Sequence, residues 1–185
     1  MFGRITDPGS PPTVAGKEDD PRTWRSDVAV RAAPEHVLDT LTDIDACEAW
    51  SPVGFRIDEL DSGRLQTGST ATVSGALAGR RVRFRLEIRR ADSECLMLRA
   101  AGPVQICAHY RVRPAGHGSR VDAEISVRRA PGRSGALAAR ATSVLLASGA
   151  LRHALARMGR EAERRHPLAP RERQQPEISD AGSGR

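Results

Sequence analysis

A tyrosine on an otherwise apolar strand face is the residue best placed to do chemistry in this sequence. Tyr110 lies in the run 104–113, where apolar and polar residues alternate, and the run 121–129 alternates in the same way. Because side chains alternate across a strand, Tyr110 shares its inward face with apolar residues alone. A buried phenol can donate a hydrogen bond to a carbonyl oxygen or act as a general acid. A core tyrosine whose hydroxyl bonds a backbone carbonyl is the alternative interpretation.

Two further polar residues, Ser148 and Arg152, lie on and beside the apolar stripe of a helix predicted over residues 134–165. Ser148 can orient a ligand carbonyl, or it can hydrogen-bond back to a backbone carbonyl one turn earlier. Arg152, with Arg140 on the other border, can bind a carboxylate or enolate bidentately. Either arginine can instead lay its apolar stem on the surface with the charged head in water. The predicted catalytic residues are therefore Tyr110, Ser148 and Arg152.

The sequence lacks the residues that other common enzyme chemistries need. His109 falls on the outward strand face and His117 in a turn. The serine and acidic candidates lie in loops or on the outer face, so no Ser/His/Asp constellation can be assembled. No inward pair of histidine, cysteine or acidic residues has ligand spacing, and no glycine-rich loop joins a strand to a helix. The sequence therefore predicts neither a metal nor any other cofactor.

Length and composition fit a single domain between two tails. The 185 residues suffice for one buried core, and with 3% aromatic residues that core must consist mainly of aliphatic side chains. Both ends of the chain are rich in proline, glycine and charged residues, which disfavours a packed structure there. We expect a flexible leader over residues 1–22, a folded domain over residues 23–166 and a flexible tail over residues 167–185.

Charge and cysteine content bear on partners and on location. The net charge of +6 comes almost wholly from arginine, since Lys17 is the only lysine. The arginines are dispersed and no aromatic residues are interleaved with them, so nucleic acid is not an expected partner. Cys47, Cys95 and Cys107 form no CxxC pair, and no apolar segment typical of a signal peptide is present at the N-terminus. These features predict reduced thiols and a cytoplasmic location.

Hydrophobic periodicity predicts seven strands, two short helices and one long C-terminal helix. The strands are expected at residues 24–31, 55–60, 69–74, 81–91, 95–101, 104–113 and 121–129. Pro34 opens the first short helix, and the second begins near Asp45, expected to be its cap, and ends near Trp50. From residue 134 to 165 the apolar spacing becomes three and four, which predicts one continuous helix. Its expected stripe comprises Leu137, Ala141, Val144, Ser148, Leu151, Leu155, Met158 and Ala162.

Three segments carry a resemblance to a known superfamily. They are APEHVLDTLTDIDACEAWSP (residues 33–52), GRLQTGSTATV (residues 63–73) and YRVRPAGHGSRVDAEISV (residues 110–127). With the order of elements, they resemble the SRPBCC or START-like superfamily, which includes Bet v 1-like proteins and polyketide cyclases/dehydrases. The resemblance implies an α+β helix-grip fold: a curved seven-stranded antiparallel sheet around a long C-terminal helix, with two short helices after strand 1.

In this superfamily the sheet and the long helix enclose a pocket for a hydrophobic small molecule. Carried over to this chain, the ligand-binding residues are Trp50, Phe55, Phe84, Leu86, Leu98, Ile106, Ala108, Ile125, Val144, Leu151 and Leu155. Trp50 is expected to cap the pocket or stack on a flat ligand, or else to pack the second short helix onto the sheet.

The resemblance leaves two functions open, because the fold serves carriers, receptors and enzymes alike. One is a polyketide cyclase/dehydrase-like enzyme that acts by substrate positioning and carbonyl polarisation. The other is a non-catalytic carrier or sensor of a lipid, a quinone or another apolar metabolite. In either case the basic C-terminal helix, through Arg157, Arg160, Arg164 and Arg165, can dock on an acyl carrier protein or an anionic membrane surface, or simply face water.

Overall fold

The computed structural model describes residues 21–51, 55–61, 63–77 and 79–167. The leader predicted over residues 1–22 and the tail predicted over residues 167–185 lie almost entirely outside these ranges and stay predictions. The elements in chain order are β1 (Arg22–Val30), α1 (Pro34–Thr42), α2 (Ile44–Trp50), β2 (Phe55–Leu60), β3 (Thr70–Leu77), β4 (Arg80–Ala91), β5 (Cys95–Ala101), β6 (Val104–Ala115), β7 (Gly118–Arg129), α3 (Arg133–Ala147) and α4 (Ala150–Arg165).

The strands form one seven-stranded antiparallel sheet in the order β1-β7-β6-β5-β4-β3-β2. Directly opposed residues share a face, so the pairing of Tyr110 with Ala123 and with Leu96 places three inward residues side by side. All three are buried. The predicted α+β helix-grip fold is thereby confirmed, with an apolar face toward the helices and a charged face away from them.

The central hairpin is longer and tighter than its sequence suggested. β6 and β7 pair from Val104 opposite Arg129 to Ala115 opposite Gly118. Only Gly116 and His117 remain as the turn, and Gly116 has a φ of 56°, which glycine adopts without strain. The hairpin therefore forms a rigid centre for the sheet, and Tyr110 projects from it.

The two short helices lie as predicted, but the cap of the second one is Asp43. Pro34 occupies the first turn of α1. The backbone N–H of Ala46 donates to Asp43 Oδ1 at 3.1 Å, and Asp43 has the extended backbone of a cap residue. The predicted cap, Asp45, is wrong because that residue already lies within the first helical turn.

The predicted continuous C-terminal helix is two helices, with a bend of 60° between α3 and α4. Gly149, with a φ of 89°, lies in the left-handed region that ends helices, and the Ser148 hydroxyl donates to the Leu145 carbonyl at 2.7 Å. Among the described residues, no single helix is long and apolar enough to cross a membrane, although the bent pair passes the same test of length and composition.

The bend changes which side of α3 faces the sheet. Val144 and Leu137, both predicted to be buried, are 62% and 52% exposed. The predicted stripe is therefore wrong on α3 and correct on α4. The residues that α3 buries are Gly135, Ala138, Thr142, Ser143 and Leu146. On α4 the predicted residues Leu151, Leu155, Met158 and Ala162 are all buried.

The C-terminal end of α4 is fixed to the two short helices by charge and by ring stacking. Arg165 donates to Asp43 Oδ2 at 2.7 Å and to Glu161 at 2.7 Å. The His166 ring stacks on the His36 ring, with centroids 4.0 Å apart and planes within 3°. These contacts fix α1, α2 and α4 relative to one another on one side of the sheet.

Candidate functional site

Tyr110 is buried in the interior and points at Trp50. It is 7% exposed, and the two rings meet edge to face with centroids 6.2 Å apart and planes at 75°. Its hydroxyl donates no hydrogen bond to any residue in the described ranges. Burial raises the pKa of Tyr110 well above its usual value, and the nearby Cys47 raises it further. At neutral pH the group is therefore a protonated donor with no acceptor in the part of the chain that the structure describes.

Trp50 supplies a second buried donor beside this phenol. It is 8% exposed, and its indole Nε1 has no hydrogen-bond partner among the described residues. A buried polar group left unpaired costs about 1–3 kcal/mol, so native proteins keep few of them. The unpaired indole is an observation that the packing of α2 alone does not explain.

Arg157 fixes the end of the helix that carries Trp50. Its guanidinium, on α4, donates to the carbonyl oxygens of Ala49 and of Ser51, the latter at 3.3 Å. These carbonyls end α2, where a cation both satisfies free acceptors and opposes the helix dipole. The position of Trp50 is thus coupled to α4.

Cys47 is the third polar residue near Tyr110, and its thiol is unreactive. Its Sγ–H donates to the Leu41 carbonyl at 3.3 Å. Burial raises the pKa of Cys47 to about 12, and Asp43 contributes further. The thiolate is the nucleophilic form, so this thiol does not serve as a nucleophile at neutral pH.

Most of the predicted ligand-binding residues lie on the concave side of the sheet or on the buried face of α4. Ala108, Leu151 and Leu155 are buried. Six others are only half-buried although strand register or packing places them inward: Phe55, Phe84, Leu86, Leu98, Ile106 and Ile125. Their partial exposure shows that solvent reaches part of these inward residues.

Three predicted site residues do not join Tyr110. Ser148 and Arg152 are both exposed, on either side of Gly149, and Val144 lies on the outer side of α3. The bend between α3 and α4 accounts for Val144 and Ser148, because a continuous helix would have carried their shared stripe onto the sheet. Arg152 lies on α4 beside the buried stripe and is exposed to solvent. The structure brings together Tyr110 and Trp50 from the predicted set.

The comparisons with known proteins agree with the fold. A family model described as polyketide cyclase / dehydrase and lipid transport matches residues 22–163. The chain belongs to the polyketide cyclase/dehydrase and lipid transport family. No curated protein matches its sequence.

Solved structures share the fold of this family member at low sequence identity. The ZhuI aromatase/cyclase from Streptomyces sp. R1128 is 19% identical with a TM-score of 0.58, over 78% of this chain and 95% of that one. TTHA0849 from Thermus thermophilus is 16% identical with a TM-score of 0.58, over 78% and 99%. DynU16, a protein in the dynemicin biosynthetic locus, is 19% identical with a TM-score of 0.51, over 78% of this chain and 48% of that one. At these identities the likeness establishes the fold alone.

An open groove of about 900 Å³ lies beside Phe55 in this family member. Its lining is mostly polar and belongs to the outward face of the sheet, through Arg56, Asp58, Ser74, Arg81 and Arg83. Three residues of the inward face, Phe55, Gly75 and Val82, also line it. The groove therefore does not show an opening to the concave side, and the place of Phe55 near a pocket mouth stays a prediction.

The basic face predicted on the last helix of this cyclase/dehydrase family member is largely occupied within the fold. Arg157 binds the end of α2, Arg165 binds Asp43, and Arg164 pairs with Glu161. Of the four arginines predicted to form this face, Arg160 alone has no hydrogen bond or ion pair to a described residue. Docking on an acyl carrier protein or an anionic membrane stays a prediction that this arrangement does not favour.

Sequence reasoning missed Arg157 and Cys47 as parts of the site. Arg157 looked like one of several surface arginines, and its partners lie 106 and 108 positions earlier in the chain. Cys47 looked like a lone thiol. The one sequence feature that could have indicated Cys47 is its position, because it lies one helical turn before Trp50 and so shares its side of α2.

Proposed function

We propose that this protein binds a hydrophobic small molecule on the concave side of its sheet, and that it promotes cyclisation or dehydration of that molecule. Tyr110 supplies the hydrogen bond that polarises a ligand carbonyl. The apolar inward side chains hold the ligand so that its reacting carbons meet. Family membership, with polyketide cyclases and dehydrases as named members, supports the reaction class.

The observation that carries this proposal is the buried ring of Tyr110, whose hydroxyl has no acceptor among the described residues. An interior built for stability alone would bond the Tyr110 hydroxyl to a backbone carbonyl, as buried tyrosines usually do. Here the hydroxyl lies among apolar side chains, some of which solvent still reaches. A ligand oxygen in that space would satisfy the donor.

The chemistry needs no added reactant. An enol carbon of the ligand forms a bond to one of its own carbonyl carbons, and the enol proton passes to the carbonyl oxygen, which becomes a hydroxyl. Loss of that hydroxyl with a proton from the adjacent carbon releases water and leaves a double bond. Since burial raises the pKa of Tyr110, the phenol acts by hydrogen bonding to the developing oxyanion rather than by giving up its proton. The remaining rate enhancement comes from holding the two reacting carbons of the ligand close together.

A non-catalytic carrier is the second candidate, and one observation favours it. Burial and Cys47 account for the raised pKa of Tyr110, with no carboxylate or imidazole of the described residues among the causes. A lipid, a quinone or another apolar metabolite would fit the same concave surface. A cytoplasmic location belongs to this proposal under either function, supported by three unpaired cysteines.

The test begins with the ligand. Small molecules extracted from the purified protein are identified by mass spectrometry. A polyketide-like or polycyclic compound supports catalysis, whereas a phospholipid or a quinone supports transport. Turnover of the identified compound is then compared between wild type and Tyr110→Phe. We expect a rate loss of about 100-fold with little loss of affinity, by analogy with other oxyanion donors. Full activity in Tyr110→Phe would contradict the role of the phenol.

A further inference from the structure

The indole of Trp50 is the strongest unexplained feature of the interior. Trp50 is more than nine-tenths buried, and its Nε1–H has no acceptor among the described residues. Burying a donor without a partner costs free energy that a small shift of the ring toward a backbone carbonyl would recover. Arg157 holds the end of α2, through Ala49 and Ser51, and thereby keeps the ring where it is.

The phenol of Tyr110 adds a second donor next to the first. The ring centroids of Trp50 and Tyr110 are 6.2 Å apart, and the Tyr110 hydroxyl donates to no described residue. The Cys47 thiol, the third polar group nearby, donates its hydrogen bond to the Leu41 carbonyl. The interior therefore has two donors on contacting rings, and neither has an acceptor among the described residues.

We propose that Trp50 Nε1–H and Tyr110 Oη–H together bind one carbonyl oxygen, so that the ligand is an apolar compound bearing a ketone or quinone group. This inference rests on the proposed function and defines its ligand class. A carbonyl oxygen has two lone pairs and accepts both hydrogen bonds. A hydrocarbon leaves both donors unpaired. A carboxylate needs a free cation, and Arg157, the cation described beside Trp50, already donates to the Ala49 and Ser51 carbonyls.

Fluorenone and fluorene form a matched pair of probes for this proposal, since they differ in a carbonyl group against a methylene. The chain contains two tryptophans, Trp24 and Trp50, so a ¹⁵N-labelled sample gives two indole N–H signals. Trp24→Phe assigns the signal of Trp50. We expect fluorenone to move the Trp50 indole proton downfield, as a new hydrogen bond does, while fluorene leaves it without a downfield shift.

Affinities provide the second measurement. One net hydrogen bond is worth roughly a fivefold change in affinity, so the wild type should prefer fluorenone over fluorene by about 25-fold. Trp50→Phe and Tyr110→Phe should each reduce this preference about fivefold. Trp24→Phe is the control that keeps the preference, because Trp24 lies on β1 opposite Ile125 and is not a partner of Tyr110.

The outcomes separate this inference from the proposed function. If neither probe binds the wild type, the proposed function fails and this inference fails with it. If both bind with equal affinity and the Trp50 indole signal does not move downfield, the proposed function stands and the two-donor site is wrong. The spectrum is recorded on the wild-type chain, so the result does not depend on the folding of Trp50→Phe.

Discussion

The guanidinium of Arg157, on α4, donates a hydrogen bond to the carbonyl oxygen of Ser51, 3.3 Å away at the end of α2. The same side chain also binds the Ala49 carbonyl. Trp50 lies between these two acceptors in sequence, so one arginine of the C-terminal helix fixes the backbone on both sides of the buried indole. The site thus depends on a side chain whose hydrogen bonds go to the backbone rather than to either aromatic ring.

Replacing Arg157 should loosen Trp50. We expect Arg157→Ala to lower the free energy of unfolding by about 1 kcal/mol and to shift Trp50 fluorescence to longer wavelength. The measurement is made in a Trp24→Phe background, where Trp50 is the only tryptophan. Arg160→Ala is the matched control, because Arg160 is also exposed on α4, three residues after Arg157. Equal effects of the two substitutions would contradict a positioning role for Arg157.

Asp43 should matter for stability where Asp45 does not. Asp43 caps α2 and pairs with Arg165, so we expect Asp43→Ala to cost about 1–2 kcal/mol, whereas Asp45→Ala should stay within about 0.5 kcal/mol. Chemical denaturation of both variants checks this. A larger loss for Asp45→Ala would restore the cap predicted from sequence.

The pH dependence of stability should follow from the ion pair of Asp43. Burial opposes ionisation of this carboxyl, but the Ala46 amide and Arg165 outweigh it and lower the pKa of Asp43. A lowered folded pKa contributes stability above the ordinary carboxyl range, and this contribution is lost as pH falls through the folded pKa. Asp43→Asn keeps a capping side chain without the charge, so its deficit relative to wild type should shrink in acid.

Tyr110 should resist ionisation until the protein unfolds. It is the only tyrosine, so the tyrosinate absorbance band reports on it alone. Because burial raises its pKa, the folded phenol stays protonated above pH ~10, where an unfolded tyrosine ionises. The unfolded state then binds fewer protons, so stability falls as pH rises beyond that value. A tyrosinate band that grows near pH ~10 while the circular dichroism stays native would mean that Tyr110 is exposed.

The break between α3 and α4 predicts which residues of α3 support the fold. Leu146 is 8% exposed and Val144 is 62% exposed, although they are two positions apart. We expect Leu146→Ala to destabilise the protein by about 2 kcal/mol and Val144→Ala to change stability by less than about 0.5 kcal/mol. Thermal or chemical unfolding of the pair decides between the bent arrangement and a continuous helix, for which Val144 would be the costly position.

Strand alternation made most of the fold predictable. The bounds predicted for β2 and β5 match the observed Phe55–Leu60 and Cys95–Ala101, because each strand has one apolar and one polar side and register follows from that. The inward position of Tyr110 is confirmed for the same reason. Its chemical role stays a prediction.

The helix break and the coupling of Trp50 to α4 were not predictable in the same way. Along residues 133–147 two different stripes look plausible, and the one that packs is rich in small residues such as Gly135 and Ala138, which carry little hydrophobic signal. The Ser148–Gly149 pair is typical of a helix end, but its signal was outweighed by an apolar pattern that continues past it. The contact from Arg157 to Ser51 depends on the tertiary arrangement, which no local pattern encodes.

Titration with the neutral dye Nile red tests most directly whether the concave side of the sheet binds an apolar ligand. Ile106 and Cys107 are adjacent on β6, with Ile106 half-buried on the inward face and Cys107 exposed on the outward face. We predict saturable binding by the wild type and by Cys107→Trp, and loss of binding in Ile106→Trp, whose larger side chain fills the inward space. Undiminished binding in Ile106→Trp, or no saturable binding by the wild type, would contradict a ligand site on the concave surface.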